Sequence, residues 1–313
     1  MRRLIFVSCT ALLAAVCSSA IAVECAMSEA FKQPDSNARK QLTSVWQDSD
    51  ASSLLFVESL NVNTDGTRRS YKVDDFWGEK EAFNNLCNAM SDACRGLKTE
   101  AEQRGRRIIT QTAAANGWPR DQLALTKISS SIIPFRDGKP CPPKDGYLIS
   151  ATSLHNPEVQ DVCDIDRYVD ALVTPALVLP KPPKGKNLSR FGKLNAKIGD
   201  LVVAMVPGSL QPVFAVVGDH GPADALGEGS IALNGQLLGK TALPVNYREI
   251  RGRAPYRGQG WTVPKSIVLI FPGTRDQNAP YLTPERINAA ARERFESWGG
   301  VGRMYACAAA YQD

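Results

Sequence analysis

The sequence predicts a protein that is mainly β, a small closed β-barrel with peripheral helices. Three observations carry this expectation. Short apolar runs rich in β-branched residues dominate from Tyr147 to Phe271, with only one helical pattern clearly inserted among them. Gly, Pro and polar clusters separate these runs, rather than the regularly alternating helices that βαβ units require. No internal repeat or low-complexity block interrupts the chain.

At the start, Arg2 and Arg3 precede an apolar run from Leu4 to Val16, and Ala20, Ile21 and Ala22 offer small residues for cleavage after Ala22. This is the pattern of a secretory signal peptide over residues 1–22, and it predicts a secreted or periplasmic protein. The run is shorter than the ~20 residues a spanning helix needs, so no transmembrane segment is expected. About 290 residues remain, enough for one large core. They divide into a polar segment at 23–53, a barrel domain at 54–275 and a C-terminal helical segment at 276–313. Within the first, only a helix around Ala38 to Trp46 is legible.

Of 8 cysteines, Cys9 and Cys17 leave with the signal. The others, Cys25, Cys87, Cys94, Cys141, Cys163 and Cys307, are even in number in an exported chain and are expected to form disulfides. Zinc fits poorly, because no CxxC pair occurs and only His155 and His220 could add imidazole. No metal or other cofactor is called for. Glu79 to Cys94 reads as an amphipathic helix with Phe83, Leu86 and Met90 on one face. In a continuous helix Cys87 and Cys94 would stand ~10 Å apart along the axis, so each is expected to pair elsewhere.

Leu54 to Val57, Leu60 and Val62 lead to Asp65-Gly66 and then to Tyr71 and Val73, a hairpin signal. Lys98 to Asn116 predicts a charged, solvated helix. Pro134 to Tyr147, with Gly138, Pro140, Pro142, Pro143 and Gly146, reads as a linker or covering loop. Strands follow at Tyr147 to Ile149 and at Val173 to Leu179, the latter closed by Pro180. Asp161, Asp164, Asp166 and Asp170 between them form either a solvated loop or a holder for a cationic ligand.

The formal net charge is +5, or about +3 without Arg2 and Arg3, which is too mild to identify a partner. Lys181 to Lys197 holds six basic residues and no acid. It lacks the interleaved aromatics of a nucleic-acid platform, so an exposed insertion is expected and a nucleic-acid partner is not. A strand opens after Asp200 and runs to Val206, another spans Ile267 to Phe271, and Thr283-Pro284 starts a last helix with Ile287, Ala291, Phe295 and Trp298 on one face.

The chemistry concentrates in Val213 to Gly239. Val213 to Val217 reads as a strand covered on both faces, with Asp219 just past its end. Gly218, Gly221, Pro222 and Gly227 make a loop that Glu228 closes, and Ser230 caps a helix carrying Ile231, Leu233, Leu237 and Leu238, stopped by Gly239. Two carboxylates brought together by such a loop suit glycoside hydrolysis, where one protonates the leaving oxygen and the other activates water or attacks the sugar. Spacing alone also fits a structural role, with Asp219 satisfying loop amides and Glu228 complementing the helix N-terminus.

In context, VVGDHGPADALGEGSIAL resembles the signature of glycoside hydrolase family 75, the chitosanases first known from fungi and also present in bacteria. Asp65-Gly66 with Tyr71, DGYLISATSL from Asp145, VDALVTPALVLP from Val169, GDLVV from Gly199 and IFPGT from Ile270 are similar to the family's other landmarks, in the family's order. The resemblance reaches from about Leu54 to Thr274. It implies a six-stranded double-psi β-barrel and endo-acting hydrolysis of β-1,4-linked glucosamine polymers with inversion. It makes Glu228 the general acid and Asp219 the base, with Asp200, His220, Ser153 and Asp166 as candidate substrate-binding residues. Two other readings stay open: a double-psi-barrel lytic transglycosylase acting on peptidoglycan, and a barrel that binds glycan or cell wall without catalysis.

Overall fold

A computed structural model describes residues 25–37 and 39–311; the expected signal peptide lies outside them. In chain order the elements are β1 (Met27–Pro34), β2 (Leu42–Asp48), β3 (Leu54–Asn63), β4 (Tyr71–Lys72), α1 (Glu100–Ala115), α2 (Arg120–Thr126), β5 (Phe135–Arg136), β6 (Lys139–Pro140), β7 (Tyr147–Leu148), β8 (Ala176–Pro180), α3 (Arg190–Lys193), β9 (Leu201–Met205), β10 (Val213–Gly221), β11 (Glu228–Ser230), α4 (Ile231–Leu237), α5 (Tyr247–Ile250), β12 (Val263–Phe271), α6 (Pro284–Trp298) and α7 (Gly300–Ala310).

Six strands close into a barrel in the order β3-β11-β8-β10-β9-β12, with β12 returning to β3. The sheet is mixed: β10 runs parallel to β8 and β11 parallel to β3, while the remaining barrel pairs are antiparallel. Period-2 alternation sorts the side chains. Leu54, Phe56, Leu177, Val202, Ala215, Val217, Val268 and Ile270 fill one buried cluster, contributed by five of the six strands. Their alternates, among them Leu55, Leu201, Val203, Phe214, Val216 and Leu269, pack on Ile287, Ala291, Phe295 and Trp298 of α6 and on Met304 of α7. Because helices cover the outer face, these strands read as continuous apolar runs rather than alternating ones.

Several local expectations change. Residues 42–48 form a strand, not a helix: β2 pairs with β1 and, through Trp46 and Gln47, with β3. The hairpin after β3 does not form, since β4 pairs with β7 while β3 serves the barrel. Residues 79–94 are not a continuous helix; only a short 3-10 turn, Leu86–Ala89, appears. The Asp75 carboxylate takes the backbone N–H groups of Glu79, Lys80, Glu81 and Ala82, which a helix would have sent to its own carbonyls. Ala93 and Cys94 then adopt left-handed backbone, folding the chain back so that Cys87 and Cys94 bond to one another with Cα atoms 5.3 Å apart. The other disulfides are Cys25–Cys307 and Cys141–Cys163. No helix among the described residues is long and apolar enough to cross a membrane.

Residues 71–148 build a second small core from Tyr71, Phe76, Leu86, Met90, Ala113, Trp118, Ile133 and Leu148. Residues of this lobe and of the barrel line one recess together. The space between the two holds the site described next.

Candidate active site

A cavity of about 730 Å³ lies where the barrel wall meets the second lobe. Asn61 and Asn63 of β3, Val178 of β8, Asp219 and Gly221 of β10 and Glu228 of β11 form its barrel side. Tyr71, Asn84, Asn88 and Ser131 face them from the lobe, with Thr152, Tyr247, Lys181 and Arg251 alongside. Amides, hydroxyls and two tyrosines give convergent polar groups of the kind that orient a small hydrophilic ligand.

Asp219 lies within β10 rather than past its end, and a bulge places it there. Val217 pairs with Leu177, but Asp219 pairs with Val178, so one residue of β10 is skipped. Without that shift Asp219 would share the face of Val213, Ala215 and Val217 and point into the apolar interior. The bulge re-aims it to the opposite face. Gly218 permits this, since a Cβ there would come 2.6 Å from the Ala176 methyl.

Glu228 pairs with the same Val178 from the other side and with Asn61 of β3. Asp219 and Glu228 thus flank one residue of β8, two strand spacings apart, or about 9 to 10 Å between Cα atoms. Glu228 extends toward β10, and its Oε2 would lie 3.4 Å from a Cβ at Gly221. Glycine there leaves the carboxylate its space.

The two carboxyl groups have different surroundings. Asp219 Oδ1 accepts from the Ser153 amide at 2.9 Å, from Ser153 Oγ at 2.8 Å and from the His220 amide at 2.8 Å, while Oδ2 accepts from Asn63 Nδ2 at 3.3 Å. Burial raises its pKa above the ordinary carboxylate value, and these donors oppose that rise by stabilising the ionised form. The Glu228 side chain accepts no hydrogen bond from the described residues. Burial, and then the nearby Asp219 charge, raise it to about 7, against the opposing charges of Lys40 and Arg251.

A third carboxyl shares the cavity. Asp65, read from sequence as part of a turn and as a landmark of the motif resemblance but not as a site residue, has its pKa raised to about 7 by burial and then by the Asp219 charge, against hydrogen bonds from Tyr71 and Ser150. Gly66 beside it has φ +86, and a Cβ there would meet Val169 O at 2.1 Å. The Asp65-Gly66 signal marks a tight backbone approach that delivers a carboxyl to the cavity, not a hairpin turn.

Among the other candidates, His220 lines the cavity and Ser153 both lines it and holds Asp219. Asp200 does not line it: fully buried, it accepts the Lys197 amide at 2.7 Å and the Arg275 amide at 2.9 Å, tying the turn before β9 to the turn after β12. Asp166 is also outside, paired with Arg68. Nor does the rest of its cluster reach the cavity. Asp161 pairs with Arg136, Asp164 accepts from the Asp166 amide and Asp170 from the Leu172 amide. In the basic segment Lys181 lines the cavity, and Phe191 is fully buried rather than exposed. Sequence reasoning missed Asn63, Asn84 and Arg251, which spacing does not connect to the Asp219 stretch, and it held Asp65 and Tyr71 only as landmarks of the motif resemblance, not as site residues.

Among models of known protein families none matches the chain, and no curated protein matches it either.

Proposed function

We propose that the protein is an exported glycoside hydrolase that cuts a β-1,4-linked amino-sugar polymer inside the chain, with inversion at the anomeric carbon. The observation that carries this reading is the pair Asp219 and Glu228. They share one cavity, flank Val178, and differ in what stabilises their charged forms: four donors converge on Asp219, while Glu228 accepts none from the described residues and is raised to about 7. Two carboxyls whose surroundings separate their proton affinities supply an acid and a base at one pH.

Glu228, protonated, gives its proton to the glycosidic oxygen as the C1–O bond breaks. Asp219, ionised, takes a proton from the water that attacks C1 from the opposite face. Two strand spacings leave room for that water; inverting pairs stand ~6.5 to 9.5 Å apart, whereas ~5 Å would suit retention. The polar lining suits the hydroxyls of a sugar chain. The double-psi crossing belongs to this reading, as does chitosan as substrate, and both rest on the motif resemblance from Leu54 to Thr274.

The test is incubation of the mature protein with chitosan, chitin, cellulose and peptidoglycan, following reducing ends and product masses. Chitosan is expected to be cut to oligomers whose first reducing end is the α-anomer. Asp219→Asn and Glu228→Gln are each expected to lose ~10² to 10⁴-fold in rate while remaining folded. In the wild type the rate should fall as pH rises through about 7, where Glu228 loses the proton it must donate. Wild-type turnover by either variant would refute the pair, anhydro-sugar products would identify a lytic transglycosylase, and tight binding without products a non-catalytic barrel.

A further inference from the structure

The acid–base pair leaves Asp65 unused, although it lines the same cavity. Its two carboxyl oxygens are unlike. Oδ1 accepts from the Tyr71 hydroxyl at 2.8 Å and from Ser150 Oγ at 3.1 Å. Both donors are oriented from behind: the Tyr71 oxygen accepts from Asn84 Nδ2 at 3.1 Å, and Ser150 Oγ accepts from the Gly66 amide at 2.9 Å. Each hydroxyl therefore directs its single proton at Asp65. No described residue donates to Oδ2.

The position of this free oxygen is tied to the base. The Asp65 amide donates to Asn63 Oδ1 at 2.8 Å, and the same Asn63 donates through Nδ2 to Asp219 Oδ2 at 3.3 Å. One amide side chain thus sets the spacing between Asp65 and Asp219. Three carboxyls in one recess crowd like charge, and burial together with the Asp219 charge raises Asp65 to about 7. A cation entering beside it would relieve the same crowding and let the proton go. A sugar hydroxyl, or a neutral acetamide, brings no charge and offers no such exchange.

We propose that Asp65 is a third substrate-contacting residue, whose Oδ2 accepts a hydrogen bond from the protonated amine of a glucosamine unit and so sets a preference for free amine over acetamide. This assignment rests on the glycosidase reading for its place in a substrate cleft. It transfers the recognition of a cationic polymer from the Asp161 to Asp170 cluster, which lies outside the cavity, to the catalytic recess itself.

Binding tests it without turnover. Tetramers of glucosamine and of N-acetylglucosamine are titrated by calorimetry into Glu228→Gln and into the Asp65→Asn/Glu228→Gln double variant, whose amide keeps an acceptor for Tyr71 and Ser150. The double variant is expected to bind the glucosamine tetramer about 10- to 100-fold more weakly, the scale of a lost charge-assisted hydrogen bond. It should bind the acetylated tetramer as the single variant does. Asp65→Ala, in the same background, should give the same contrast. Equal losses for both tetramers, no loss for either, or no binding of the glucosamine tetramer by the single variant overturns the assignment. A wild type that cuts no polymer refutes the hydrolase reading instead, and the contrast between tetramers still decides on Asp65.

Discussion

Glu228 shows how burial decides a proton affinity that sequence leaves in balance. It precedes α4, whose N-terminus would favour an ionised carboxylate. In the structure it sits on β11, two residues before the Ser230 cap, whose hydroxyl takes the Leu233 amide. Burial and then the Asp219 charge prevail, and both Glu228 and Asp65 are pushed up to about 7. The sign of the linkage follows. Unfolded, these groups ionise near pH 4, while folded they hold their protons to about 7, so folding binds protons between those values and stability falls as pH rises through that window. The deficit is complete above about 7. Glu228→Gln and Asp65→Asn remove it and should each add about 1 to 3 kcal/mol at pH 8, a rise of a few degrees in melting temperature. The gain should vanish by pH 4. Thermal melts of both variants across pH 4 to 8 check this, and variants less stable than wild type at pH 8 would contradict it.

At the scale of elements, the disulfides and the β10 bulge carry the lesson. Cys87 and Cys94 close a loop of sequence separation 7, whereas Cys25 and Cys307 are separated by 282 and join the start of β1 to α7. If cross-links act mainly by restricting the unfolded chain, removing the first should cost about 2 kcal/mol and removing the second about 5. Paired Cys→Ser variants followed by denaturant unfolding measure both, and a larger loss for the short loop would reject the ordering. Apolar spacing suggests a helix that would hold Cys87 and Cys94 apart. Spacing does not reveal that the Asp75 carboxylate collects four of that segment's amides. The strand at 42–48 carried a better signal, for Thr43 and Val45 are β-branched and both buried.

Across the whole molecule, the C-terminal helices are bound to the barrel through a buried charge. Asp48 of β2 is 4 % exposed and accepts from Trp298 Nε1 at 2.7 Å, Ser53 Oγ at 2.9 Å and Arg303 Nη2 at 2.8 Å. Arg303→Met leaves that carboxylate buried without its cation and should cost about 3 kcal/mol, read as a lower denaturant midpoint. An unchanged midpoint would show that Trp298 and Ser53 suffice. Sequence alone determined five of the six barrel strands, because buried strands need β-branched apolar runs whatever surrounds them; β11, Glu228–Ser230, read as a loop end and helix cap, is a strand only through its pairing with β3 and β8. Sequence also determined α6, through Thr283, Pro284 and a regular apolar face, though not the separate α7 that follows it, and it singled out Asp219 and Glu228 as the carboxylates at either end of one loop. Only the tertiary structure decided where those carboxylates point. The skipped residue at Gly218 turns Asp219 from the interior to the cavity, and that is a matter of register against β8, which the local chain does not encode. Asp65 joins them from more than 150 residues away through Asn63, Tyr71 and Ser150. Its proton affinity depends on burial and on neighbouring charge, quantities that exist only once the chain has closed.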